Sequence, residues 1–177
     1  DTVPRHDIVL RGGFLIDGTG NPWYPGDIAI QSGHVSAIGS IPRNSGKREI
    51  DVTGLIVCPG FIDMHTHSDM PLLVDGTAQS KVRQGVTLDI IGESQSVAPL
   101  EGVVLEEYRA DQKHRDGVDV NWIDLAGYFE RIKKDGISIN LASCVAPQQV
   151  RRAVIGFEDR PGTEEEIQTM TSLIAKA

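Results

Sequence analysis

The chain is poor in cysteine, in net positive charge and in long apolar runs. Two cysteines in 177 residues, Cys58 and Cys144, are too few for a disulfide framework, and each reads as a small apolar residue packed in the interior. A formal net charge of −8 argues against nucleic acid or an anionic membrane surface as partner. No apolar run approaches the ~18 residues that span a bilayer. No secretory leader is legible, yet the sequence opens at Asp1 rather than methionine. The compartment therefore stays open between the cytoplasm and, for a processed amino terminus, the periplasm or the exterior. No glycine-rich phosphate loop follows a strand and no Ser-His-Asp arrangement is legible. Gly12-Gly13 and Gly18-Thr19-Gly20 read as turns instead.

What remains is an ordinary globular composition. With 40% apolar and 24% charged residues, the chain has the means to bury a core of domain size. Its first part reads as hairpins. Ile8–Arg11 and Phe14–Asp17 flank Gly12-Gly13, Asp27–Gln31 and His34–Ile38 flank Ser32-Gly33, and Arg48–Val52 adds a short strand. A small antiparallel sheet is expected there. His6 and His34 fall on it as solvated surface residues.

After Pro59-Gly60 the period changes. A short apolar strand carrying His65 and His67 precedes a helix over 77–84 that stops at Gly85, and Val86–Ile91 reads as a second strand. Strand, helix and strand over about 30 residues make a βαβ unit with parallel strands. Residues 95–120 are polar and without period, and His114 within them reads as solvated. Asn121 introduces a helix with Trp122, Leu125, Phe129 and Ile132 at helical spacing, stopped by Gly136, and 137–142 form a third strand. Thr163 and Glu166 make a capping box for a last helix through Ile167, Met170 and Ile174. Three parallel strands with partly covered helices leave sheet edges unprotected, so the chain reads as the front of a larger protein.

The chemistry concentrates in Pro59-Gly60-Phe61-Ile62-Asp63-Met64-His65-Thr66-His67. In a strand, alternate residues share a face, so both imidazoles, with Asp63 and Asp69, are expected on one side. Two neutral imidazoles converging on one point begin a divalent-metal site. Glu93, just beyond the second parallel strand, lies where functional groups gather in α/β architectures and is the third expected ligand. The plain alternative is two histidines adjacent by chance in an exposed turn and a loop carboxylate in water. Asp69 is left between metal, substrate and backbone contact, and Ser68 and Ser94 are read as pocket-lining.

The runs "LIVCPGFIDMHTHSD", "DIVLRGGFLIDGTG" and "VRQGVTLDIIGES", with "ISINLAS" and "RRAVIG…RPGTEEEIQTM", resemble the amidohydrolase superfamily, and within it the N-acyl-D-amino-acid deacylases, or D-aminoacylases. The resemblance implies an α/β fold: the first part of a (β/α)₈ TIM-like barrel preceded by strands of a small β-sandwich domain. Residues 1–57 would be the sandwich strands, and 58–177 the first three βα units, with a loop and helix excursion at 95–135. It implies one or two divalent ions, zinc above all, held here by His65, His67 and Glu93. Two further histidines and a proton-shuttling aspartate would come from strands outside this chain. The expected activity is hydrolysis of an amide bond, with an N-acyl amino acid or related amide as substrate and a companion polypeptide supplying the remaining strands.

Two positions depart from the family pattern. Where D-aminoacylases carry Gly-Asn-Cys with a ligating cysteine, this chain has Gly92-Glu93-Ser94, and Glu93 is the replacement carboxylate. Where they carry Gly-His after the third strand, Ala146-Pro147 stand, so the resemblance does not carry over the substrate contact of that histidine. Two rival readings stay open: a cyclic-amide hydrolase akin to dihydroorotases and hydantoinases, and a metal-free scaffold of the same fold.

Overall fold

The structure, a computed structural model, describes residues 5–177, which divide into two compact units, one up to Pro59 and one from Gly60 onward. The first unit is a five-stranded sheet of β1 (His6–Leu15), β2 (Tyr24–Gln31), β3 (His34–Gly39), β4 (Gly46–Asp51) and β5 (Ile56–Val57). The strand order is β3-β2-β1-β4, with β5 also on β1. The Ser32-Gly33 hairpin forms as expected, both residues at positive φ (52° and 77°), the pair a type I′ turn demands. The sheet is not purely antiparallel, however, because β4 and β5 both run parallel to β1.

The Gly12-Gly13 turn does not exist. β1 runs straight through it, and the pairing with β2 slips between Leu10 and Gly13. The glycines make a bulge: Gly12 sits at φ 73° and donates its N–H to Asp27 Oδ1 at 2.9 Å. A Cβ on Gly13 would press on Val57 and Val52, so the residue is small because neighbouring side chains fill its place. Beside the bulge, Arg11 joins three segments, reaching Asp27 at 2.9 Å, Glu49 at 2.7 Å and the Ile41 carbonyl at 2.6 Å. Its hydrogen bond holds the Glu49 carboxyl down at about 2.

The second unit contains β6 (Phe61–Asp63), α1 (Asp69–Val74), α2 (Gln79–Val82), β7 (Val86–Ile91), α3 (Gly102–Asp116), α4 (Leu125–Asp135), β8 (Asn140–Ser143), α5 (Pro147–Ile155) and α6 (Glu164–Lys176). β6, β7 and β8 form a parallel sheet in chain order, with helices in each connection. The βαβ expectation therefore holds, with adjusted boundaries. The helix expected over 77–84 is the four-residue α2, preceded by α1, and the third strand begins at Asn140 rather than Ile137.

The polar stretch 95–120 is the largest departure, because most of it is the fifteen-residue α3. Its buried positions are Val104, Tyr108 and Gln112, one per turn, and the last is polar. Such a narrow stripe gives little periodicity to detect. α5 was also not anticipated; it opens with Pro147 at its first turn, where a missing N–H costs nothing. The α4 helix begins later than expected, capped by Asp124, whose side chain accepts from Gly127 N. Trp122 precedes it and packs into the core, its indole donating to the Val97 carbonyl at 3.0 Å.

The capping box of α6 is present in both directions, and Arg160 grips both oxygens of Glu166 at 2.7 and 2.8 Å. That helix buries Leu173 and leaves Ile167 and Ile174 about half exposed, so its expected apolar face is only partly used. Both cysteines are exposed rather than packed inside, Cys58 in the first unit and Cys144 immediately after β8. Each falls in a connection next to a strand end, where no side chains close over it. Among the described residues no helix is long and apolar enough to cross a membrane.

Candidate metal centre

β6 is only three residues long, so His65 and His67 lie beyond it, in the loop leading to α1. The expected strand parity therefore does not orient them. They meet all the same: the ring centroids stand 5.8 Å apart with planes at 75°. Asp63 explains part of the bend. Its Oδ1 accepts the backbone N–H of His65 at 3.2 Å, a local carboxylate turn that ends the strand.

Glu93 arrives from the end of β7 by an equally local device. Gly92 at φ 84° and Ser94 at φ 57° bracket it, so the chain turns sharply at the strand end and points the carboxylate outward. Glu93 Oε2 lies 2.6 Å from His65 Nε2. One ligand atom from each of His65, His67 and Glu93 falls within 4.8 Å of the others, so the structure brings all three expected residues together.

The donor set fits a divalent ion such as zinc. Two imidazole nitrogens and one carboxylate oxygen are a zinc ligand set, and bonds near 2.0–2.2 Å in a tetrahedron place donors roughly 3.4 Å apart. The His65–Glu93 pair is closer than that, and both side chains are more than half exposed, 64% and 57%, so they part without disturbing packing. An exposed pair of this kind adds little to stability, which leaves the convergence without a folding reason.

Gly92 allows a direct check. A Cβ there would collide with the Cys144 carbonyl oxygen, and the positive φ disfavours any L side chain. Gly92→Ala is expected to cost at least about 1–2 kcal/mol and to swing Glu93 out of the cluster. Thermal melting and zinc titration of the variant measure the two effects separately.

The remaining expectations fall out unevenly. Asp69 opens α1 with its carboxylate turned to the interior, 3.5 Å from the Tyr108 hydroxyl, and burial raises its pKa above the ordinary range. It lines a pocket of about 260 Å³ with His67, Gln95, Tyr108, Gln112 and Arg115. Ser94 lines a neighbouring pocket of about 500 Å³ between α3 and α5. Ser68 does not line either one; it is buried and donates to Asp89 at 2.6 Å. Ala146 and Pro147 open α5, and His114 is exposed on α3.

Sequence reasoning missed Lys81 and Asp89. Burial works against the Lys81 ammonium, but the Asp63 and Asp89 carboxylates outweigh it and hold its pKa above the ordinary value. Asp63 and Asp89 occupy neighbouring parallel strands in direct register, and two adjacent carboxylates call for a cation in the connection between them, a signal that exists only once the strand pairing is known.

No protein-family model matches the chain. D-aminoacylase from Alcaligenes xylosoxydans xylosoxydans is 32% identical over 179 residues, which cover 97% of this chain and 35% of that protein. The structure of N-acyl-D-glutamate deacylase from Bordetella bronchiseptica, complexed with zinc and a phosphonate mimic of the tetrahedral intermediate, matches with a TM-score of 0.82. The identity is 28%, over 98% of this chain and 36% of that one. A D-aminoacylase structure concerned with the role of its binuclear metal centre matches with a TM-score of 0.79 at 33% identity, over 96% of this chain and 35% of that one. The chain is thus a homologue of D-aminoacylase and the N-acyl-D-amino-acid deacylases, within the amidohydrolases, and spans about a third of their length.

Proposed function

We propose that this chain carries one side of the metal site of a hydrolase that cleaves the amide bond of N-acyl-D-amino acids. The observation that carries the reading is the convergence of His65, His67 and Glu93, in a chain homologous to deacylases of which one was solved with zinc and another for its binuclear centre. His65, His67 and Glu93 would hold the ion, one or two in number. When bound, a divalent ion supplies Lewis acidity toward an amide carbonyl and toward water.

The chain's own residues supply position. The loop after β6 and the turn after β7 present donors at the carboxyl ends of adjacent parallel strands, where α/β enzymes build their sites. The pocket beside His67, with Arg115 and Gln112 in its wall, offers polar groups for orienting a substrate amide or carboxylate. Residues outside this chain would complete the ligands and supply the aspartate that moves the proton to the departing amine.

The same reading covers the architecture. The second unit would be the first three βα units of a (β/α)₈ barrel, and the first unit the strands of a small β-sandwich. Phe61 and Ile62 on β6 are 56% and 55% exposed, an apolar edge strand suited to burial by further barrel elements. Those elements would come from a continuation of the chain or a companion polypeptide.

Hydrolysis assays of the assembled, zinc-loaded enzyme against N-acyl-D-amino acids and hydantoins in parallel test the reading. Turnover of the N-acyl-D-amino acids is expected. Turnover of hydantoins alone would move the protein to the cyclic-amide hydrolases, and full zinc content without turnover of either would make it a metal-binding scaffold. Activity of a single species at 19.2 kDa would remove the need for a companion.

A further inference from the structure

The most buried charge near the histidine loop takes no part in the metal cluster. Asp89, in the middle of β7, is fully inaccessible and lies in register with Asp63 of β6. Lys81, on α2 in the connection between those strands, sits between them. Its Nζ is 2.5 Å from Asp63 Oδ2 and 3.4 Å from Asp89 Oδ2, and it donates to Thr66 Oγ1 at 2.9 Å. Asp63 accepts from the His65 backbone N–H, and Asp89 accepts from Ser68 Oγ at 2.6 Å.

The pattern of these bonds is specific. Asp63 precedes the two histidines, Thr66 separates them and Ser68 follows them. All three are tied to a single ammonium–carboxylate group seated under the loop. A buried ion pair is seldom more stable than apolar residues filling the same space, so stability alone does not account for it. Fixing a short irregular loop in one conformation does, since neither helix nor strand hydrogen bonds hold residues 64–67.

We propose that Lys81 and Asp89 are positioning residues for the metal centre: together they lock the loop so that the His65 and His67 imidazoles converge with Glu93. The proposal rests on the reading of that cluster as a metal site. Lys81 touches no ligand side chain; it acts through Asp63 and Thr66, as outer-shell partners act in metal sites generally.

The test compares zinc affinity and the visible spectrum of the cobalt-substituted protein in the assembled enzyme carrying the unaltered chain, Lys81→Met or Lys81→Met/Asp89→Asn. The single variant leaves the Asp89 carboxylate buried without a counter-ion and risks unfolding. The double variant removes one charge of each sign, leaves only the partly exposed Asp63 carboxylate without its ammonium, and retains an acceptor for Ser68. Zinc affinity of the double variant is expected to fall about 10- to 100-fold, with an altered cobalt spectrum and retained circular dichroism. A lowered melting temperature with unchanged affinity and an unchanged cobalt spectrum would mark a plain structural ion pair and overturn the proposal alone. Absence of zinc or cobalt binding by the assembled enzyme with the unaltered chain would overturn the metal reading and this proposal with it.

Discussion

Alanine at His65 or at His67 is expected to raise the dissociation constant for zinc by more than about 100-fold, beyond the 10- to 100-fold cost of losing an outer-shell partner. Each variant removes one of the three donors that converge among the described residues. The fold should barely register the change. Both imidazoles are exposed in a loop, and substitutions at such sites usually shift stability by no more than about 0.5 kcal/mol. Glu93→Ala removes the anionic donor and also frees His65 from its 2.6 Å contact, so its loss of affinity is expected alongside a changed environment for the remaining ring. Competition with a chromophoric chelator at neutral pH reads all three variants on one scale. Unchanged affinity in both histidine variants would place any bound metal elsewhere on the protein.

How this site was visible before the fold was known follows from what kind of interaction builds it. His65, His67 and Glu93 are recognisable because their chemistry is rare and their spacing short, whatever backbone carries them. The strand-parity argument for the histidines was wrong in its cause, since β6 stops at Asp63, yet the residues converge because a carboxylate turn bends the loop. The Ser32-Gly33 hairpin and the Thr163 capping box were legible for the same reason: each is set by a few adjacent residues. Gly12-Gly13 was not, because the choice between turn and bulge depends on Val52, Val57 and Asp27, which are far away in sequence. α3 hid behind a one-residue-wide apolar stripe, and Cys58 and Cys144 broke a statistical rule about cysteine that says nothing of strand ends. Lys81 needed the pairing of two strands before its two carboxylates could be seen side by side.

Tyr128 carries the largest expected stability effect. It is fully buried at the centre of the second unit's core, with the Trp122 ring 5.3 Å away edge-on and Phe129 at 5.7 Å. Its hydroxyl donates to the Asp69 carbonyl at 2.9 Å, so the α4 helix is pinned to the start of α1, two residues past His67. Tyr128→Ala opens a cavity among Trp122, Leu125 and Ile132 and is expected to cost about 3–5 kcal/mol. For a domain whose whole stability is about 5–15 kcal/mol, that is enough to populate the unfolded state under mild denaturant. Tyr128→Phe fills the same space and loses only the hydrogen bond, leaving the Asp69 carbonyl without that donor. About 0.5–1.5 kcal/mol is expected. Trp122 reports the outcome directly, being buried beside Tyr128 while Trp23 in the first unit is 57% exposed; in a Trp23→Phe background its emission follows the second unit alone. Equal midpoints for the alanine and phenylalanine variants would show that the ring's packing contributes nothing beyond its hydroxyl. Because the hydroxyl fixes the helix that follows the histidine loop, Tyr128→Phe should also loosen zinc binding, where a purely interior role would leave it untouched.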